Sequence, residues 1–329
     1  MNEKISVILP AHNAGPFISE AARSILVQTH ENLELIVIDD GSTDRTPAIL
    51  QDIAASDSRV VIVSRPNRGL VASLNEAVQL ATGGFIARMD ADDVSAPERL
   101  MHQLRYIRSH DIDLCGTGVE QFGEAQQVRF YPEQDDSIKL ALTLGTPFAH
   151  PTVFGRAAIF KQFPYSRHAL HYEDLELWCR MAMSGVRFGN VPETLLRYRV
   201  HQGQVSHVHR LEQIDGTLAT LGDYWAFRLR GEGAPLGDSR ASGRDFADLL
   251  VQSGPDYIRC GLGGELRRFL FSVLPYADIT RSEAIELSLK TCGIFPADVQ
   301  VIKLASRLLL NREQYCRVRN RFANLRAAI

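Results

Sequence analysis

The chain has 329 residues, 45% of them hydrophobic, with a formal net charge of -3 and a pI near 6.4. That apolar content over that length excludes a chain disordered throughout and suffices for one large α/β domain or a domain with an appendage. The slightly acidic balance excludes a global attraction to nucleic acid, so any basic partner surface has to be local.

ISVILP (5–10) is a short β-branched run, and from Gly15 to Thr29 the apolar residues Phe17, Ile18, Ala21, Ala22, Ile25 and Leu26 fall on one face of a helical period. The spacing predicts a strand and then a helix. LELIVID (33–39) reads as a second buried strand, followed by GSTDRTPAILQDIAA, where Ser42, Thr43 or Asp44 can cap a helix and Pro47 suits its first turn. VVIV (60–63), LVASLNEAVQLA (70–81) and GFIARMD (84–90) repeat the unit. Near-continuous apolar strands alternating with helices predict an α/β fold, a parallel sheet covered on both faces. Such a sheet takes its ligand at the carboxyl ends of its strands, where Asp39, Asp40, Asp90, Asp92 and Asp93 all fall.

Within ARMDADDVSAPERL (87–100), three acids occupy four positions and repel one another unless something offsets their charge. Hard cations such as Mg2+ or Mn2+ take oxygen ligands and keep positions open for phosphate, so Asp90, Asp92 and Asp93 read as a metal site. The other reading of such a turn is that it caps the helix starting near Pro97 and is solvated. The second acidic pair, Asp39 and Asp40 at another strand end, favours the site.

HYEDLELWCRMAMSG (171–185) has apolar spacing consistent with a helix, with Glu173 and Asp174 at its start, where the helix N-terminus stabilises a carboxylate. On spacing alone this pair reads as a cap. His150 in FAHPTVF and His201 in YRVHQGQVS are single histidines, a pattern that more often marks a hydrogen-bonded structural residue. A neutral imidazole at His201 would nevertheless suit Mn2+ better than Mg2+.

The five cysteines, Cys115, Cys179, Cys260, Cys292 and Cys316, contain no C-x-x-C pair and read as free thiols of a reducing compartment. MNEKISVILP lacks an apolar signal-peptide core, and no run of about eighteen apolar residues occurs, so the expected location is the cytoplasm. GEGAPLGDSRASG (231–243) breaks the Arg-rich helical patterns of the last third. In 303–329, Tyr315, Val318, Phe322, Leu325 and Ile329 form an apolar stripe flanked by Arg317, Arg319, Arg321 and Arg326. This basic amphipathic helix has two readings: peripheral contact with an anionic membrane at its inner face, or packing on the α/β domain or a second subunit.

The blocks SVILPAHNAGPFISEAARSILVQT, LELIVIDDGSTDRT, NRGLVASLNEA, GGFIARMDADDVSAPERLMHQL, HPTVF, YEDLELWCRMAMSG and LRYRVHQGQVS stand in order over roughly residues 4 to 206. Together they resemble the inverting GT-A glycosyltransferases of family 2, of the bacterial surface-polysaccharide type. The resemblance implies a GT-A-like, Rossmann-related catalytic domain over 1–206, mostly parallel and flanked by helices, followed by a helical C-terminal region over 207–329. Its nucleotide-sugar half would run to about residue 120 and its acceptor half over 121–206. The implied activity is metal-dependent transfer of a sugar, with inversion, from a nucleotide-sugar to a hydroxyl of a glycan or lipid-linked glycan. UDP-sugars are the implied donors.

Carried over residue by residue, the resemblance puts Pro10, His12, Asn13 and Asp40 around the nucleotide's base and ribose, with Asp39 beside them. Family members often have tyrosine where this chain has His12. Asp92 falls on the Mn2+ or Mg2+, Asp90 near the ribose or in the metal's shell, and His201 within reach of metal or diphosphate. Asp93 and Glu173 fall on the acceptor side, and the HPTV block with His150 is acceptor-proximal or structural. Asp174 takes the part of general base, removing the acceptor's proton as its oxygen attacks the anomeric carbon, a single displacement that inverts.

Two rival readings remain in the sequence. A sugar-nucleotide nucleotidyltransferase would be favoured by a Gly-rich basic loop after the first strand, but PAHNAGPF carries no Lys or Arg. A non-catalytic nucleotide-sugar or glycan-binding protein has no need of both acidic groups.

Overall fold

The computed structural model describes residues 3–201 and 210–230 and parts of 246–272. The break at 231–243, the basic segment 303–329 and two of the cysteines, Cys292 and Cys316, lie outside the described residues. In chain order the elements around the site are β1 (Ile5–Ala11), α1 (Ile18–Leu26), β2 (Leu33–Asp40), α2 (Thr46–Ser56), β3 (Val60–Arg65), α3 (Leu70–Leu80) and β4 (Phe85–Arg88). They continue with β5 (Val94–Ser95), α4 (Arg99–His110), β6 (Leu114–Gly123), β7 (Gln127–Arg129), α5 (Asp135–Ala141), β8 (Phe154–Arg156), α6 (Ala157–Gln162), α7 (Glu173–Met183) and β9 (Phe188–Val200).

The strands form one sheet in the order β3-β2-β1-β4-β8-β6-β9-β5, with β7 on β6. β1 pairs in parallel with β2 and β4, and β2 with β3. β8 is antiparallel to both β4 and β6, so β6 and its parallel partner β9 point the same way as the first four strands. Among the described strands, the sheet is therefore mostly parallel, and the reversed members β5, β7 and β8 are short. The reversed β8 was not legible in the strand pattern. It brings the chain back along the edge of β4, so that α7 and β9 can approach the acids from the other side.

Why the first strands read as unbroken apolar runs is clear from their burial. Every residue of β1 and β2 is buried. Val7, Leu9, Leu35 and Val37 join the core under α1, with Ile18, Ala21 and Ile25. Ile8, Ile36 and Ile38, on the alternate positions, are at most 1% exposed as well. A strand buried on both faces has no polar side to show.

The chain divides into two units, Met1–Lys139 with Thr146–Val208, and Leu140–Gly145 with His209–Ile329. In the second unit the described helices are Arg210–Arg230 and Gly263–Ser272. Trp225 is fully buried there, its ring 4.8 Å from Phe246 and 5.9 Å from Phe269, and its Nε1 donates to Thr143 O at 2.8 Å. The Tyr257 and Thr143 hydroxyls pair at 2.6 Å. No helix of the described residues is long and apolar enough to cross a membrane. Cys115 and Cys179 are buried and Cys260 is exposed, and none of the three is in a disulfide among the described residues.

Candidate active site

The register of β1, β2 and β3 sets Ala11 beside Asp39 and Asp40 beside Arg65, so the loops after these strands open at one edge. Asp40, 3% exposed, accepts from Arg65 Nη1 and from the backbone N–H groups of Arg68 and Gly69, both at 2.8 Å. Gly69 has φ +85°, a conformation that costs glycine least. A carboxylate offers about four acceptor directions, so three of Asp40's are spent on shaping the β3–α3 loop. Asp39, also 3% exposed, receives only a longer bond, 3.2 Å, from the N–H of Ser42.

Asn13 adopts φ +49° and ties the first loop to the second: its N–H donates to Ser42 Oγ at 2.9 Å and its Oδ1 accepts from Thr43 N at 2.8 Å. His12, on the exposed side, has Nδ1 2.9 Å from Asp40 O and Nε2 3.2 Å from Asn13 Nδ2. The Asp40 carbonyl favours a proton on Nδ1, while the amide nitrogen of Asn67, 3.3 Å from the same Nδ1, favours the other tautomer. Pro10 is buried in β1. Asp44, one of the expected caps, accepts from Thr46 N and Gly15 N, both at 2.9 Å, and so braces α2 and the first loop together.

Past β4 the chain turns sharply, and one carboxylate oxygen from each of Asp90, Asp92 and Asp93 lies within 4.8 Å of the others. Asp93 is 1% exposed; its Oδ1 accepts from Arg199 N at 2.8 Å, and its Oδ2 is buried with no partner. Burial, then Asp90 and Asp92, push its carboxyl well above the ordinary range. Burial likewise raises Asp90 to about 6, against the pull of Arg88. A divalent cation would fit such a set and would satisfy the unpartnered Asp93 oxygen. The acids do not cap α4, whose first turn follows Glu98.

β9 holds this turn from the far end of the domain. Arg199 Nε donates to Asp92 O at 2.8 Å, its Nη2 meets Glu20 at 2.6 Å, and its guanidinium lies 4.7 Å from the Phe17 ring and 4.3 Å from that of Phe122. His201 Nε2 is 3.0 Å from Asp92 Oδ2, with its ring 5.3 Å from Phe17. The imidazole thus joins the acids through a hydrogen bond to Asp92.

On the other side α7 begins with Glu173 and Asp174. Asp174 Oδ1 accepts from Leu175 N at 2.8 Å, and burial raises its carboxyl while that bond and Arg88 oppose the rise. Glu173, 8% exposed, is raised to about 7 by burial and then by Asp174, with Arg88 pulling the other way. Tyr165, 3% exposed, feels Arg88, Glu173, Asp174 and Asp90, and its hydroxyl pairs with His150 Nε2 at 2.9 Å. Burial and Arg88 keep His150 neutral, and its ring stands edge-on to Trp178. Arg88 opposes the rise at Asp90 and at Glu173, although the two lie far apart in the sequence.

The sequence pattern did not single out Arg88, Arg99, Arg199 or Tyr165. For Arg88 a signal existed: a charge inside the apolar run GFIARM must be paired if the run is a buried strand. Arg199 and Tyr165 carried none, because their roles depend on β9 and β8 returning to β4.

A profile of the Glycosyl transferase family 2 matches residues 6–167. EpsE of Bacillus subtilis, named a putative glycosyltransferase, is 37% identical over 204 residues, which is 60% of this chain and 73% of that protein. The chain belongs to glycosyl transferase family 2. Solved structures agree on the fold. Residues 1–349 of Staphylococcus aureus TarS, in complex with UDP-GlcNAc, superpose with a TM-score of 0.62 at 16% identity, covering 98% of this chain and 92% of that one. The mannosyltransferase PcManGT of Pyrobaculum calidifontis, in complex with GDP-Man and Mn2+, gives 0.55 at 16% identity over 93% and 79%. This family 2 member is thus a glycosyltransferase with the GT-A fold, and the nucleotidyltransferase and non-catalytic readings fall away.

Proposed function

We propose that the protein transfers a sugar from a nucleotide-sugar, a UDP-sugar in the first instance, to a hydroxyl of a glycan or lipid-linked glycan, with inversion and dependence on a divalent metal. The observation that carries this reading is the cluster of Asp90, Asp92 and Asp93 past the end of β4, one oxygen of each within 4.8 Å of the others and the Asp93 Oδ2 buried without a partner. TarS was determined with UDP-GlcNAc and PcManGT with GDP-Man and Mn2+, which supports a nucleotide-sugar donor and a metal without choosing between the two nucleotides.

In this reading Pro10, His12, Asn13, Asp39 and Asp40 receive the nucleoside. Asp39 has the more acceptor capacity left for a nucleobase N–H, while Asp40 shapes the loop against which the base lies. Asp90, Asp92 and Asp93 would hold Mn2+ or Mg2+, with His201 steadying Asp92. A bound divalent cation offsets the charge that builds on the diphosphate as it leaves. Asp174 accepts the proton of the acceptor hydroxyl as the new bond forms at the anomeric carbon. Glu173, raised to about 7, keeps a proton through much of the neutral range and can donate a hydrogen bond to the acceptor.

Calorimetric titration of UDP, GDP and dTDP into the protein, with and without Mn2+, tests the donor half. Metal-dependent binding of one nucleotide, lost in Asp92→Asn, is the expected result. Binding that ignores both the metal and the substitution would remove the metal from this proposal.

A further inference from the structure

Arg88 is the last residue of β4, and its backbone is held from three directions. Ile8 of β1 lies beside it in register, its N–H donates to Val153 O at 2.8 Å, and its carbonyl accepts from Nη2 of the fully buried Arg99 at 2.6 Å. From this anchored position Nη1 and Nη2 meet the two oxygens of Asp90 at 2.6 and 2.5 Å. The Arg88 side chain is 4% exposed and that of Asp90 26%. Two parallel charge-assisted bonds make the strongest common pairing of these side chains, and burial of the arginine strengthens it. Asp93 Oδ2, in the same cluster, has no partner. The acids are therefore unequal before any cation arrives: one is matched by a fixed guanidinium and another has an oxygen waiting.

We infer that Arg88 is a positioning residue that competes with the metal for Asp90, so that the free enzyme binds the cation weakly and binds it well only together with the donor's diphosphate. The inference rests on the proposed metal site. A cation entering alone meets a nearby positive charge and an Asp90 each of whose oxygens already accepts one bond from the fork. A diphosphate arriving with it supplies oxygen ligands of its own and further negative charge, which outweigh what the fork withholds.

The test is titration of Mn2+ into the full chain, followed by the loss of the free-ion electron paramagnetic resonance signal, with and without UDP. In Arg88→Gln, Mn2+ alone should bind about tenfold more tightly, and the gain in affinity on adding UDP should shrink accordingly. Arg88→Lys, which keeps the charge but replaces the planar fork by a single point donor, should show a smaller gain of about threefold, and it carries the test if the glutamine variant does not fold. Adding Asp90→Asn to Arg88→Gln should abolish the gain. Unchanged or weaker Mn2+ binding in folded Arg88 variants overturns the inference, as does a gain that survives Asp90→Asn, since Arg88 would then not act through Asp90. If the wild-type protein binds no Mn2+ even with UDP, the metal site itself is wrong and the inference falls with it.

Discussion

Asn75 and Tyr165 exchange two hydrogen bonds: Asn75 Nδ2 donates to Tyr165 O and Asn75 Oδ1 accepts from Tyr165 N, both at 2.9 Å. One side chain on α3 thus satisfies both backbone groups of a buried residue whose hydroxyl pairs with His150. Asn75→Ala leaves those groups unpaired and should cost about 1–3 kcal/mol of stability. Asn75→Asp can still accept from the Tyr165 N–H but sets a carboxylate oxygen against the Tyr165 carbonyl, so it should be no milder than alanine. Urea unfolding measures the first effect. If Tyr165 serves the proposed acceptor side, transfer should drop more than UDP affinity does, and equal losses in both would separate it from that side.

The two acidic groups should be separable by substitution. Asp174→Asn removes the proposed base and leaves the Asp90-Asp92-Asp93 cluster untouched, so it should abolish transfer by a factor of at least about a hundred while nucleotide binding changes little. Single-turnover transfer beside nucleotide titration distinguishes the two. Near-normal turnover would mean that another group takes the proton, with Glu173 the next to examine.

Glu173 predicts a pH dependence of stability in metal-free buffer. Its carboxyl is raised from 4.5 to about 7, so the folded state retains a proton that the unfolded chain gives up. The sign is set by linkage: the contribution is full below the unfolded value and is lost as pH rises through the folded one. Glu173→Gln cannot ionise, and at about pH 8 it should be more stable than the parent by roughly 1–3 kcal/mol, with little difference near pH 4.5. Chemical denaturation at the two pH values measures this. A variant less stable than its parent at the higher pH would contradict the assigned protonation.

Arg199 should matter to the turn that carries Asp90, Asp92 and Asp93 even though it is remote in sequence. Arg199→Met loses the bond to Asp92 O and the ion pair with Glu20. Mn2+-dependent UDP affinity should fall roughly tenfold, with Asp93 still receiving the backbone N–H of residue 199. Lysine should restore little, because it lacks the planar guanidinium that lies between Phe17 and Phe122. Full recovery by Arg199→Lys would reduce the role of Arg199 to its charge.

Element by element, the sequence was most informative where structure is local. ISVILP and LELIVID became β1 and β2, and the helical spacing of 171–185 became α7 at Glu173–Met183. Boundaries moved inward: the helix expected over Gly15–Thr29 covers Ile18–Leu26, and GFIARMD keeps strand geometry only from Phe85 to Arg88 before the acids turn away. Asp90, Asp92 and Asp93 lie together, with one oxygen of each within 4.8 Å of the others.

The amino-acid sequence by itself determined the alternation of buried strands and amphipathic helices, the placing of acids at strand ends and the family, because periodicity and short motifs are properties of neighbouring residues. Tertiary structure alone decided which charges face which. The reversed β8, the return of β9 to the acids and the fork of Arg88 on Asp90 arise from strand order and side-chain direction. A buried charge is stable only with a partner, and the sheet, not the spacing along the chain, brings that partner within reach.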